Sequence, residues 1–223
     1  MARISRVVVP GHPHHVTQRG VRSLAVFDGD ADRRAYLRQM KAQCGRYGVE
    51  VLAWCLMTNH VHLIAVPSTA ESLARAVGEA HRRYTVAKNS AAGVTGYLFQ
   101  GRFGSCVLDE SHLLAAARYV ELNPVRARMV RDAGEYEWSS ARFHLGRRRS
   151  DALVADRTLM GLVEDWRGFL AGGMGAGAAA ELEKHLSTGR PLGSEGFVRR
   201  VEKLIGRELM PRKRGWRKGR KRK

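Results

Sequence analysis

The chain has 223 residues, 44% of them hydrophobic, which suits one domain of ordinary size with room for an appendage. Thirty-nine Lys and Arg against 21 Asp and Glu leave a formal charge of +18, restricting partners to nucleic acid first and an anionic membrane surface second. Apolar runs are too short for a membrane span and the opening residues lack the apolar core of a signal peptide, so a reducing cytosol is expected.

In chain order, an extended segment is expected over 14–20, "HHVTQRG". Helical periodicity follows over 30–48, with Tyr36, Leu37, Met40 and Cys44 along one stripe and Gly48 as the stop. Segments 49–58 and 60–67, "VEVLAWCLMT" and "HVHLIAVP", read as strands joined by a tight turn at Thr58 and Asn59. A second helix fits 71–89, with Leu73, Ala76, Val77, Ala80 and Tyr84 as its inner face. Another extended piece, "YLFQGRFGSCVL", spans 97–108, and a third helix follows over 111–123. Pro124 predicts that its last turn finishes near Asn123. The order β-α-β-β-α-β is that of an α+β, ferredoxin-like sheet with helices packed on one face.

The character changes after "YEWSSARFHLGRRRS". Residues 171–180, "AGGMGAGAAA", have side chains too small for a core and read as a flexible or loosely helical connector. A short amphipathic helix fits "SEGFVRRVEKLIG", and the chain ends in "RKRGWRKGRKRK", with nine basic residues and no acid. The expected organisation is a catalytic domain over 1–146, a connector over 147–193, and a short helix with a basic tail over 194–223. Cys44, Cys55 and Cys106 are odd in number and never paired as C-x-x-C, which argues against structural zinc and a disulfide framework.

The chemistry starts at "TNHVHLIAVP". On a strand, successive side chains point to opposite faces, so His60 and His62 project side by side while Val61, Leu63 and Ala65 pack the other face. Two neutral imidazoles on one face can converge on one metal ion. By itself a histidine pair of this kind is more often a hydrogen-bonded core histidine beside an exposed one; its company decides. Tyr119 lies in "RYVELNPVRARMV", with Asn123 one turn on along the same helical face. A phenol, with a free pKa of about 10, is a poor nucleophile at neutral pH and gains from a cation that stabilises the phenolate.

With these residues the sequence resembles a family. "NHVHLIAVP" matches the HUH signature (His, bulky hydrophobe, His), and "YVELNPVRARMV" resembles the tyrosine helix of the single-tyrosine HUH transposases. "LFQGRFGS" and "YEWSSARFH" resemble the REP-associated tyrosine transposases, and the similarity covers roughly 14–144. The resemblance implies a ferredoxin-like HUH endonuclease that cuts and rejoins single-stranded DNA at hairpins with a divalent ion, Mg2+ or Mn2+. It implies His60 and His62 as metal ligands and Asn123 as the third, where many relatives carry Gln. Tyr119 is the implied nucleophile, giving a 5′-phosphotyrosine and a free 3′-hydroxyl. A bacterial cytoplasmic protein follows, a monomer as in the REP-associated branch or a homodimer as in its insertion-sequence cousins. The rivals are a domesticated, non-catalytic DNA-binding regulator and an HUH replication initiator or relaxase.

Other residues carry lesser expectations. Tyr84 is the competing nucleophile, although it falls on the apolar stripe. His81 and His112 are expected at the surface or at helix ends, and His12, His14 and His15 in contact with DNA or solvent. Arg102 is expected on a phosphate and Phe103 stacked on a base, with Gln100 beside them. Arg126 and Arg128 follow the tyrosine helix as backbone contacts. In the tail, Arg212, Lys213, Arg214, Trp216, Arg217 and Lys218 supply nucleic-acid contact with little sequence information.

Overall fold

The computed structural model describes residues 5–175 and 177–210. Four strands form one antiparallel sheet in the order β2-β3-β1-β4: β1 (His14–Arg19), β2 (Val49–Leu56), β3 (His60–Pro67) and β4 (Gly104–Val107). Between them run α1 (Asp30–Tyr47) and α2 (Ser72–Ala92), so the β-α-β-β-α-β order expected from the sequence is the one observed. β1 and β2 both pair antiparallel to β3, which makes them parallel to each other, and the same holds for β3 and β4 about β1. Right-handed crossovers between such parallel strands deliver both helices to one face of the sheet. There α1 and α2 pack together over fully buried Val16, Val61, Leu63 and Ala65.

Gly48 ends α1 in the left-handed conformation (φ 62°), and a Cβ there would also meet the Ser68 hydroxyl oxygen at 2.3 Å. The left-handed backbone favours glycine, and any Cβ would force the Ser68 side chain aside.

α3 (Glu110–Arg126) covers the opposite face and touches β2 and β3. Asp109 caps its start by accepting from the His112 amide at 3.0 Å. Its end differs from the expectation, because the helix carries Pro124 within it and runs on to Arg126. Proline forfeits one hydrogen bond and crowds the carbonyl four residues back. In the last turn that loss is small, and buried Asn123 and Pro124 hold the turn by packing.

One residue of α3 anchors the rest of the chain. Glu121 is fully buried; its carboxylate accepts from Ser140 Oγ at 2.6 Å and Trp166 Nε1 at 2.8 Å, and meets His144 Nδ1 at 2.5 Å. Ser140 also accepts from the Trp54 amide on β2 at 3.0 Å, so the "WSS" turn clips α3 to the sheet edge. α4 (Ala141–His144) and α5 (Trp166–Ala171) are held by the same carboxylate. Removing it strands three buried donors. We expect Glu121→Ala to cost about 3 to 5 kcal/mol, the scale for breaking a buried charged network. That is a fall in melting temperature on the order of 10 °C for a chain of this size. Thermal denaturation checks this, with Glu121→Gln expected to lose less; an unchanged melting temperature would refute the anchoring role.

Beyond the expected connector, α6 (Ala178–Thr188) lies against β4, α3 and β1 through buried Leu182 and Leu186. α7 (Glu195–Ile205) places Phe197, Val198 and Val201 on Val7, Val9 and Val107. Of the glycine-rich stretch, Ala171 ends α5 and residues 178–180 open α6. Among the described residues, no helix is long and apolar enough to cross a membrane.

Candidate active site

Strand register builds the site. Thr17 on β1 opposes His62, Arg19 opposes His60 and His15 opposes Ile64, so these side chains share the sheet face that α3 covers. The His60 and His62 rings stand 5.0 Å apart between centroids, nearly perpendicular. Tyr119 reaches down from α3, its ring centroid 5.6 Å from both His62 and His15. One turn further on along α3, Asn123 lines the cleft beside His60. The four residues singled out for chemistry, His60, His62, Tyr119 and Asn123, meet in one cleft of about 760 Å³. Arg19, Gln100, Arg102 and Arg126 line the same cleft.

Both histidines are held neutral. Burial pushes His60 down to about 4, with the Arg19 charge acting the same way and Asn123 opposing it. Burial drives His62 well below the usual histidine range, helped by His15, His60 and the cations Arg19 and Arg126. A neutral imidazole keeps a lone pair at physiological pH.

Second partners orient the rings. Asn59 donates through Nδ2 to the Ser23 carbonyl at 3.0 Å, which turns its Oδ1 toward His60 Nδ1 at 2.7 Å. His60 therefore carries its proton on Nδ1 and presents Nε2. His62 Nδ1 lies 3.0 Å from His15 Nε2, leaving His62 Nε2 for the cleft. This outer shell of hydrogen bonds is what fixes a ligand's tautomer at metal sites. His15 Nδ1 is buried with no partner among the described residues. Among the described residues no three His, Cys, Asp or Glu side chains form a metal cluster. A divalent ion would draw two imidazole nitrogens and the Asn123 amide oxygen, a mixed set that fits oxygen-preferring ions completed by water.

The Tyr119 hydroxyl donates to Glu183 Oε1 at 3.0 Å, and Arg126 lies over the ring at 4.7 Å and 3.6 Å from the same carboxylate. Burial raises the phenol above its ordinary value; the Arg126 cation opposes this and Glu183 adds to it.

Tyr84 lies where its place on the apolar stripe puts it, buried in the α1–α2 interface with its hydroxyl donated to the Val26 carbonyl at 2.7 Å and outside the cleft. Several other expectations are corrected. His81 is buried rather than superficial, bonded to Tyr36 at 3.0 Å and stacked on Phe99. His14 and His15 are fully buried, so neither meets DNA or solvent. Phe103 is buried with Arg6 stacked 3.6 Å over its ring, which occupies the face a base would need. Arg128 has φ 58° and lines a different surface depression with Val125 and Glu135. The tail residues Arg212, Lys213, Arg214, Trp216, Arg217 and Lys218 lie outside the described residues.

Sequence reasoning missed His15, Asn59 and Glu183. His15, two residues before Thr17 and four before Arg19, was available from the period-two pattern of β1. Nothing in the local sequence points from Tyr119 to Glu183.

A family model described as "Transposase IS200 like" matches residues 10–123. A solved REP-associated tyrosine transposase bound to a REP hairpin superposes with a TM-score of 0.57 at 16% identity, covering 70% of this chain and 92% of its own. A candidate transposase from Deinococcus radiodurans R1 aligns over 54% of this chain and 96% of its own, with a TM-score of 0.39 at 17% identity. No curated protein matches the chain significantly.

Proposed function

Because the chain belongs to the IS200-like transposase family, we propose that it is a divalent-metal-dependent endonuclease and strand transferase acting on single-stranded DNA at hairpins. The observation that carries the reading is the convergence of Tyr119 with His60, His62 and Asn123 in one arginine-rimmed cleft. A single chain supplies all four residues, which favours action as a monomer.

In this reading Tyr119 attacks the phosphorus at the foot of a hairpin. The Tyr119 oxygen–phosphorus bond forms and the bond from phosphorus to the 3′ oxygen breaks. The products are a 5′-phosphotyrosine and a strand ending in a 3′-hydroxyl. Attack by a 3′-hydroxyl on the phosphotyrosine reverses the bonding and rejoins strands. His60, His62 and Asn123 would hold the ion, Mg2+ or Mn2+, whose charge polarises the phosphate. Arg19, Arg102 and Arg126 face the DNA backbone, in keeping with the formal charge of +18.

The test is covalent capture. Hairpin oligonucleotides copied from palindromes flanking the gene, with single-stranded extensions, should give a protein–DNA adduct stable to denaturation. Excess chelator should abolish the adduct and Mg2+ or Mn2+ restore it. His60→Ala and His62→Ala should each lower the rate by roughly 10²-fold or more and weaken Mn2+ binding measured by calorimetry, since each removes one of three protein ligands. Undiminished cleavage in chelator would remove the ion from the reading. Failure of every hairpin to form an adduct would favour the DNA-binding regulator instead.

A further inference from the structure

We propose that Glu183 accepts the Tyr119 hydroxyl proton during strand cleavage and returns it during strand rejoining. The inference rests on Tyr119 being the nucleophile and adds a catalytic carboxylate from a helix beyond the segment, residues 10–123, that the family model matches.

The geometry is direct. Tyr119 donates its hydroxyl proton to Glu183 Oε1 at 3.0 Å, within the reach a general base needs. Arg126, whose guanidinium lies over the Tyr119 ring at 4.7 Å, is a cation and has no lone pair for a proton. The contacts of His15 and His62 to Tyr119 are made ring to ring. Among the described residues that line the cleft, Glu183 is the sole carboxylate.

The need is equally plain. A phenol, with a free pKa of about 10, holds its proton at neutral pH, so attack on phosphorus has to be coupled to loss of that proton. In cleavage, the O–H bond of Tyr119 breaks toward Glu183 as the oxygen–phosphorus bond forms, and the departing 3′ oxygen takes a proton from solvent. In rejoining, the incoming 3′-hydroxyl gives up its proton to solvent. The phenolate that leaves phosphorus recovers its own from the Glu183 carboxylic acid. No oxidant or further reactant is required.

α6 is built to hold the carboxylate there. Buried Leu182 and Leu186, one turn apart, fix the helix on the domain, and Gly189 closes it in the left-handed conformation at φ 74°. Glu183 and Ser187, also one turn apart, both line the cleft. Arg126, 3.6 Å from the carboxylate, keeps it oriented toward the phenol.

Two substitutions separate proton acceptance from hydrogen bonding and from simple obstruction of the cleft. Glu183→Gln keeps an oxygen that accepts the Tyr119 hydrogen bond but cannot take the proton. Glu183→Asp keeps the carboxylate on a shorter arm. Adduct formation is measured in a single turnover at saturating hairpin, with affinity and melting temperature measured alongside. General-base catalysis contributes typically 10²- to 10⁴-fold, so the expected result is a rate at least about 10²-fold lower for Glu183→Gln. Glu183→Asp should recover part of that loss, with affinity little changed in either variant. A Glu183→Gln rate equal to the parent's overturns the proposal, and a faster one makes Glu183 an obstruction. If the parent itself forms no adduct, the reading of function fails first and this inference with it. If Glu183→Gln does not fold, Glu183→Asp decides alone: an unchanged or faster rate overturns the proposal, and a slower one at constant affinity upholds it.

Discussion

Tyr119→Phe is expected to form no covalent adduct with a hairpin oligonucleotide, yet to fold and bind the hairpin as the parent should. Removing the nucleophile of a covalent mechanism costs on the order of 10⁴-fold or more, which takes adduct formation below detection. Phenylalanine keeps the ring, and with it the edge contacts to His15 and His62 and the Arg126 guanidinium over its face. What disappears is one hydroxyl hydrogen bond, to Glu183, worth about 1 kcal/mol. Rate and stability therefore separate cleanly. The companion variant Tyr84→Phe has the opposite profile: it deprives the buried Val26 carbonyl of its donor and lowers the melting temperature while leaving the adduct intact. An adduct in Tyr119→Phe that is lost in Tyr84→Phe would reverse the assignment.

The second large effect is acid lability. His14, His15 and His81 are all buried, and burial pushes them down to about 4, 3 and 3. His14 makes the cause visible. Its Nδ1 donates to the His12 carbonyl at 2.8 Å and its Nε2 accepts from the Val9 amide at 3.2 Å, an arrangement open only to the neutral ring. A proton on Nε2 would face an N–H. In the unfolded chain these histidines titrate near 6.5, so between pH 6.5 and about 4 the unfolded state binds more protons than the folded one. Stability is then fully present above pH 6.5 and falls as the pH drops toward the folded values. Each histidine withdraws about 2 kcal/mol between pH 6.5 and pH 5, and the three together about 6 kcal/mol as an upper estimate. That is comparable to the whole stability of an ordinary domain. Melting temperatures of the metal-free protein should drop steeply over this range, before the carboxylates titrate. His81→Phe should flatten the slope by about one proton, and a melting temperature constant from pH 7 to pH 5 would contradict the argument.

The difference between legible and hidden residues is physical. His60 and His62 were legible because the period of a strand is two, and Tyr119 and Asn123 because one helical turn separates them. Periodicity says which side chains share a face. It says less about what covers that face. The first strand was placed correctly, yet His14 and His15 were expected at DNA or solvent, because polarity alone suggests exposure. Burial of a neutral, hydrogen-bonded histidine costs little, and only neighbours such as Val9, His12 and His62 reveal the bonds. Phe103 fails in the same way: its exposure depended on Arg6, 97 residues earlier in the chain. The end of α3 was set too early because the local clash of Pro124 was weighed without the packing that compensates it.

By itself the sequence determined the β-α-β-β-α-β order, the paired histidines on one strand face, the tyrosine one turn before an amide, and the strong positive charge. These follow from periodicity and composition, properties that act along a few consecutive residues. Tertiary structure alone decided that α3 lies on the histidine face opposite α1 and α2, and that Asn59 and His15 fix the orientation of the two rings. It also decided that α6 returns Glu183 to the Tyr119 hydroxyl across 64 residues of sequence. Such contacts are set by how helices pack on the sheet, where the buried leucines of α6 choose its place and the carboxylate is carried along with them.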